Sequence, residues 1–161
     1  MSVEYIGIDP GLDGAVGKIR LDGTVRVHGT PTLVISGKTG DRRAYDLPGM
    51  RALLGLCLGA HVALERVHAM PKQGTRSTFT FGYGLGLWEG LLVGLGLSYE
   101  YVTPQRWQKV LLDGQGKGKD AARVVAMRLF PQVAVQLKRK KDHGRADALL
   151  IAEWLRRTRA G

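Results

Sequence analysis

Three acidic residues stand where an acid does nothing for solubility. Asp9 follows the apolar run from Val3 to Ile8 and precedes a Pro10-Gly11 turn. Glu65 closes the run His61-Val62-Ala63-Leu64, and Asp147 sits inside Ala146-Asp147-Ala148-Leu149-Leu150. A carboxylate at the rim of an apolar layer is costly unless it is paired or holds a cation. Three brought to one point would repel one another, and oxygen-only ligation suits Mg2+ or Mn2+. Two such ions about 3.5–4 Å apart can grip a phosphodiester and activate a water for in-line attack. Asp9 would bridge the pair, Glu65 would bind one ion and Asp147 the other. Each acid also has a plainer use: Asp9 caps the turn, Glu65 pairs with Arg66, and Asp147 favours a helix start through the macrodipole. His143 lies four residues before Asp147 and shares its face if the helix begins early. It would then be a ligand or handle the attacking water or leaving group; its plainer use is an exposed loop residue. Asp142 is the substitute candidate.

The elements that must position these groups follow from the pattern of apolar residues. Val3–Ile8, Ala15–Leu21 and Val25–His28 read as three antiparallel strands, the second and third joined by the two-residue turn Asp22-Gly23. Residues 30–45 are polar and read as a mobile connection. Asp46 caps a helix with Pro48 in its first turn and Met50, Leu53, Leu54 and Cys57 on its core face. His61–Glu65 is a fourth strand. Thr78–Leu95 is a helix despite Gly82, Gly84, Gly86, Gly90 and Gly94, each costing about 1 kcal/mol against Ala. Those glycines serve close packing, either inside the subunit or against a twin. Ser98–Val102 is a fifth strand and Thr103-Pro104 opens a helix to Leu112, with Trp107 and Val110 as packing residues and Arg106 and Lys109 exposed. Asp120 caps a helix to Phe130, and Arg145–Arg157 is the last helix. The fold class is α/β: a five-stranded mixed sheet, three antiparallel N-terminal strands plus two parallel, flanked by helices. Residues 1–161 are expected to form one domain.

Charge narrows the partner. The chain of 161 residues carries a net charge of +10 with a pI near 10.1. Residues 1–102 hold 10 Lys/Arg against 9 Asp/Glu, whereas residues 103–161 hold 14 against 5. A basic half of this kind points to a polyanion, nucleic acid first. The candidate phosphate contacts are Arg76, Lys109, Lys117, Lys119 and the run Lys138, Arg139, Lys140, Lys141. The single cysteine, Cys57, excludes an internal disulfide and reads as a buried inert thiol. The longest apolar stretch, Leu85 to Leu97, is too short and too interrupted to span a membrane. No signal peptide is visible. The expectation is a soluble protein of a reducing compartment.

Four blocks in order resemble the RuvC-type Holliday junction resolvases, in particular the short bacteriophage and prophage versions. They are Gly7-Ile8-Asp9-Pro10-Gly11, Leu64-Glu65, Thr103-Pro104 with Trp107 and a following lysine, and His143…Ala146-Asp147-Ala148-Leu149 with Ile151-Ala152. The resemblance implies an RNase H-like fold, a homodimer, and a divalent-metal endonuclease of the cytoplasm (of a bacterial host if phage-encoded). Such enzymes bind four-way junctions and nick two strands symmetrically, leaving 5′-phosphate and 3′-hydroxyl ends. By the same resemblance Asp9, Glu65 and Asp147 are metal ligands and His143 is the fourth member. The family's fourth residue stands three before the last Asp, a position held here by Gly144. Relatives often carry an aromatic three residues after the Glu, to stack on a base near the crossover; here it is His68. Phe79, Phe81 and Tyr83 are further stacking candidates, with core packing the expected use of the two Phe.

Three other readings compete. An RNase H-like nuclease for other branched DNA would share the same carboxylates. A non-catalytic basic binder would need none of them. An ATPase of the actin or sugar-kinase type needs two lobes, and Gly37-Lys38-Thr39 lacks the glycines of a phosphate loop, so no nucleotide cofactor is expected.

Overall fold

The computed structural model describes residues 3–55, 57–68, 74–116 and 118–160. Lys117 and the side chain of Lys119 lie outside the described residues. Three N-terminal strands form a meander: β1 (Glu4–Asp9), β2 (Ala15–Arg20) and β3 (Val25–Gly29). β1 pairs antiparallel with β2, and β2 with β3. On its other side β1 pairs in parallel with β6 (His61–Glu65), which pairs in parallel with β7 (Tyr99–Val102). The sheet order β3-β2-β1-β6-β7 is therefore mixed, with three antiparallel strands and two parallel additions, as expected.

Both faces of the sheet are covered. Odd residues of β1 and β2, such as Tyr5, Ala15 and Ile19, face a core completed by α3 (Pro104–Leu111), α4 (Lys119–Leu129) and α5 (His143–Ala160). Even residues, such as Ile6, Ile8 and Val16, face α1 (Leu47–Leu54) and α2 (Thr75–Gly94). The period of two in the central strands produces this division. Asp46 caps α1 by accepting from the Gly49 amide at 3.1 Å, with Pro48 in the first turn.

One contact sets the height of α5 above the sheet. A Cβ placed on Gly7 would stand 2.2 Å from the Ala148 carbonyl oxygen and 2.4 Å from the Ala152 amide nitrogen. One placed on Gly17 would stand 2.7 Å from the Leu149 nitrogen. The helix backbone thus rests on the strand backbones, through two strand glycines and two helix alanines. No other residue type fits there without moving α5.

The boundaries differ from the sequence reading in several places: α1 ends at Leu54, short of Cys57, α2 begins at Thr75 rather than Thr78, and Val110 of α3 is exposed rather than packed. Residues 30–45 are not a loose connection: β4 (Thr32–Ile35) and β5 (Arg42–Tyr45) pair antiparallel as a separate two-stranded ribbon. The run Leu33-Val34-Ile35 has strand propensity that its polar surroundings masked. Gly40, at φ 117°, permits the tight return. α4 begins at Lys119 after Gly118, so Asp120 is not its cap; it lies in the first turn and accepts from Arg123 at 2.7 Å. A 3-10 stretch, Pro131–Leu137, follows α4. Finally, α5 begins at His143, earlier than Arg145, because Gly144 and Ala146 are small enough to pack as helix against the β1–β2 turn.

The glycine contact is directly testable. Gly7→Ala should lower unfolding free energy by about 1–3 kcal/mol, the usual cost of forcing atoms into a filled space. Chemical denaturation measures it, and an unchanged midpoint would show that α5 does not rest on β1 as described.

Candidate active site

The parallel pairing of β1 and β6 aligns Ile8 with Leu64, so Asp9 and Glu65 follow side by side at the same edge of the sheet. Both strands end there for the same reason: a turn or a polar segment succeeds the apolar run. α5 crosses this edge at its N-terminal end. A Cβ on Gly144 would meet the Asp13 carbonyl oxygen at 2.1 Å, so the first turn of α5 is held tight against the β1–β2 turn. That contact carries His143 and Asp147 to the rim where Asp9 emerges.

Asp9, Asp13 and His143 line one cleft of about 690 Å³, together with Arg43, Tyr45, Arg76 and residues of the first turns of α2. Asp147 lines a second cleft of about 760 Å³ with Gln105, Lys109, Gly114, Gly116 and Gly118. Glu65 is buried at 6% exposure, and its Oε2 accepts from Trp107 Nε1 at 2.7 Å. Among the described residues no three His, Cys, Asp or Glu side chains are closed into a ready metal-holding group. Asp9 nonetheless senses the other acids. Burial raises the Asp9 carboxyl well above the ordinary carboxylate range, and the charges of Glu65, Asp147 and Asp13 push it further the same way. Burial also raises Glu65, against the opposing hydrogen bond from Trp107.

The contrast with the other enclosed acids is informative. Burial would raise Glu153, but hydrogen bonds from Arg156 and Arg157 at 2.7–2.9 Å hold it below its usual value. Asp142 is held low by a two-pronged hydrogen bond from Arg139 at 3.0 and 3.1 Å, and by its backbone amide. Glu4 is paired with Arg20 at 3.0 Å. Each of these acids is matched by a guanidinium. Asp9 lies among further acids, Glu65, Asp147 and the Arg43-paired Asp13, an environment that a bound cation would ease. Its donors are all oxygens, the chemistry that Mg2+ and Mn2+ take. The residues therefore fit a divalent cation in donor type.

The remaining sequence candidates distribute as follows. Asp142 is a structural cap and pairs with Arg139, so it is no substitute ligand, and the Arg139 guanidinium is occupied by it. Lys138, Lys140 and Lys141 are exposed around the start of α5. Arg76 flanks the Asp9 cleft and Lys109 the Asp147 cleft. His68 is exposed after β6. Phe79 is not a core residue: it is 74% exposed and stacks on Tyr83 with ring centroids 6.4 Å apart. The pair is spaced i, i+4 on the outer face of α2, where the helix turns away from the sheet. Phe81 lines the Asp9 cleft.

Two contributors escaped the sequence. Trp107 was legible only as a packing residue, because nothing in its neighbourhood shows that its ring nitrogen reaches a residue 42 positions away. Arg43 reaches Asp13 at 2.6 Å across the mouth of the cleft. Its charge could have been noticed, but its position depends on the ribbon.

Comparison with known proteins places the chain in context. No protein-family model matches it. It is 38% identical over 132 residues, 74% of its own length, to the chloroplastic Holliday junction resolvase MOC1 of Chlamydomonas reinhardtii. The chain spans 15% of that relative's length. Among solved structures it resembles T. thermophilus RuvC in complex with a Holliday junction substrate, with a TM-score of 0.59 at 17% identity, covering 97% of this chain and 96% of that one. A second T. thermophilus RuvC structure superposes with a TM-score of 0.58 at the same identity and coverage. The chain thus has the RNase H-like fold of RuvC, and three quarters of it is similar in sequence to part of a Holliday junction resolvase.

Proposed function

We propose that this protein is a divalent-metal-dependent DNA endonuclease that resolves four-way junctions by paired symmetric nicks. One observation carries the reading most: Asp9 and Glu65 end adjacent parallel strands, α5 brings Asp147 towards the same edge, and burial together with these acids raises the Asp9 carboxyl. The similarity to a Holliday junction resolvase supports the choice of substrate, and the basic second half of the chain supports DNA as partner.

Asp9, Glu65 and Asp147 would hold the ions, Mg2+ or Mn2+ and two in number, with His143 as the fourth member. Bound divalent ions would supply an activated water and stabilise the leaving oxygen, giving 5′-phosphate and 3′-hydroxyl ends. Trp107 holds the Glu65 carboxylate in one orientation before any ion arrives, which lowers the reorganisation needed on binding. His143, which lines the cleft with Asp9, would either complete the ligand set or exchange a proton with the water or the leaving group. Arg76, Lys109, Lys138, Lys140 and Lys141 would bind backbone phosphates and fix the register of the strand, with Lys117 and Lys119 as further candidates. His68, exposed after β6, would face a base near the crossover.

Paired nicks need two sites, and α2 supports a homodimer. Gly84 packs inward against Tyr45, but Gly82, Gly86 and Gly90 meet nothing within 4 Å, and Phe79, Tyr83 and Val93 beside them are exposed. This outer face suits a second copy. No helix among the described residues is long and apolar enough to cross a membrane, and the place of action we propose is the cytoplasm.

The tests are concrete. A synthetic four-way junction should be cut in Mg2+ or Mn2+, and three-way, flap and linear DNA should be cut less. Asp9→Asn should abolish cleavage while keeping junction binding in a gel-shift assay; full cleavage by this variant would refute the site. Trp107→Phe keeps the packing but removes the N–H. It should raise the Mn2+ concentration for half-maximal cleavage about 10-fold, the scale of lost outer-shell partners, with DNA affinity unchanged. Gly86→Arg on the outer face of α2 should give monomers by analytical ultracentrifugation and lose the symmetric second nick.

A further inference from the structure

The ribbon β4–β5 has no role in the sheet, yet it is anchored with care. Tyr45, at its base, is buried, and its hydroxyl donates to the Thr80 carbonyl oxygen of α2 at 3.2 Å. The Tyr45 ring fills a notch that only a glycine leaves open: a Cβ on Gly84 would stand 2.1 Å from the tyrosine oxygen. A second tie runs from Arg43 to Asp13 in the β1–β2 turn. An isolated two-stranded ribbon is marginal in water, so these ties are what hold it in place.

The rest of the ribbon is exposed. Leu33, Val34 and Ile35 are 49%, 69% and 39% accessible among the described residues. Pairing of Ile35 with Arg42 and of Val34 with Arg43 sets a cation beside an exposed apolar side chain on each face. Residues 37–43 carry Lys38, Arg42 and Arg43 against the single acid Asp41. A basic edge also serves simply to prevent strand-to-strand association. The location argues for more than that: Arg43 and Tyr45 form a wall of the cleft that contains Asp9, so the tip extends from the rim of the active site.

We propose that the β4–β5 ribbon is a DNA-binding arm, which lies on the duplex adjoining the cut strand and sets how that strand enters the Asp9 cleft. A two-stranded ribbon fits the width of a DNA groove, Lys38 and Arg42 neutralise phosphates, and the apolar side chains between them meet sugar and base surfaces. The contact is independent of sequence, because phosphates carry most of it. This inference rests on the reading of the protein as a branched-DNA enzyme.

The test is metal-free binding of a four-way junction as a function of salt. The double variant Lys38→Ala/Arg42→Ala changes two exposed side chains and should fold normally, which thermal unfolding verifies. It should bind about tenfold more weakly at low salt, and the slope of log affinity against log salt should become shallower by about 2. A control, Arg26→Ala/Arg51→Ala, removes the same charge from exposed positions outside the cleft and should change both quantities much less. Equal behaviour of the two variants, or a Lys38→Ala/Arg42→Ala variant indistinguishable from wild type, overturns the arm. Failure of the wild-type protein to bind junction DNA overturns the endonuclease reading and the arm together, whereas an unaffected variant of a binding-competent protein removes only the arm.

Discussion

The structure depends on a helix lying directly on strand backbone. Gly7 and Gly17 remove the side chains that would hold α5 away, and Ala148 and Ala152 do the same from the helix side. Close-packed interiors transmit such a constraint rigidly. The register of α5 over β1 fixes where His143 and Asp147 arrive, and the parallel register of β1 and β6 fixes Asp9 beside Glu65. Residues separated by more than 130 positions in sequence are thereby brought to one rim without a loop that needs ordering.

Bringing acids together in this way has an electrostatic cost. Asp9 suffers both desolvation and like charge, and Glu65 suffers desolvation softened by one indole hydrogen bond. Elsewhere the chain treats enclosed acids differently, giving Glu153 two arginines and Asp142 a chelating Arg139. The two cores on either side of the sheet offset the strain at its edge. Among the described residues the other buried acids, Glu4, Asp142 and Glu153, are each paired with arginine, whereas Asp9 lies under the influence of Glu65, Asp147 and Asp13.

Much of this was legible in the chain. The apolar runs Val3–Ile8 and Ala15–Leu21, the Asp22-Gly23 turn and the acids closing the runs at Asp9 and Glu65 pointed to the sheet and to two of the three rim acids. Asp147 was legible because an acid within Ala-Asp-Ala-Leu-Leu has no solubility role. What was not legible depended on tertiary contact. The ribbon was hidden because Leu33–Ile35 is short and bordered by glycines and charges. Phe79 was expected inside because large aromatics usually are, but α2 turns that side of itself outward. The Trp107–Glu65 bond joins two elements whose proximity only the parallel β6–β7 pairing and the packing of α3 against α5 create. The early start of α5 followed from Gly144, a residue whose small size matters only once Asp13 is beside it.

The most direct measurement is a crystal structure of the protein grown with Mn2+, with anomalous scattering recorded at the manganese edge. The account predicts anomalous peaks within about 2.5 Å of carboxylate oxygens of Asp9, Glu65 and Asp147, at ordinary oxygen-ligand distances. Peaks confined to other parts of the surface, with these three side chains turned away from one another at saturating Mn2+, would contradict it.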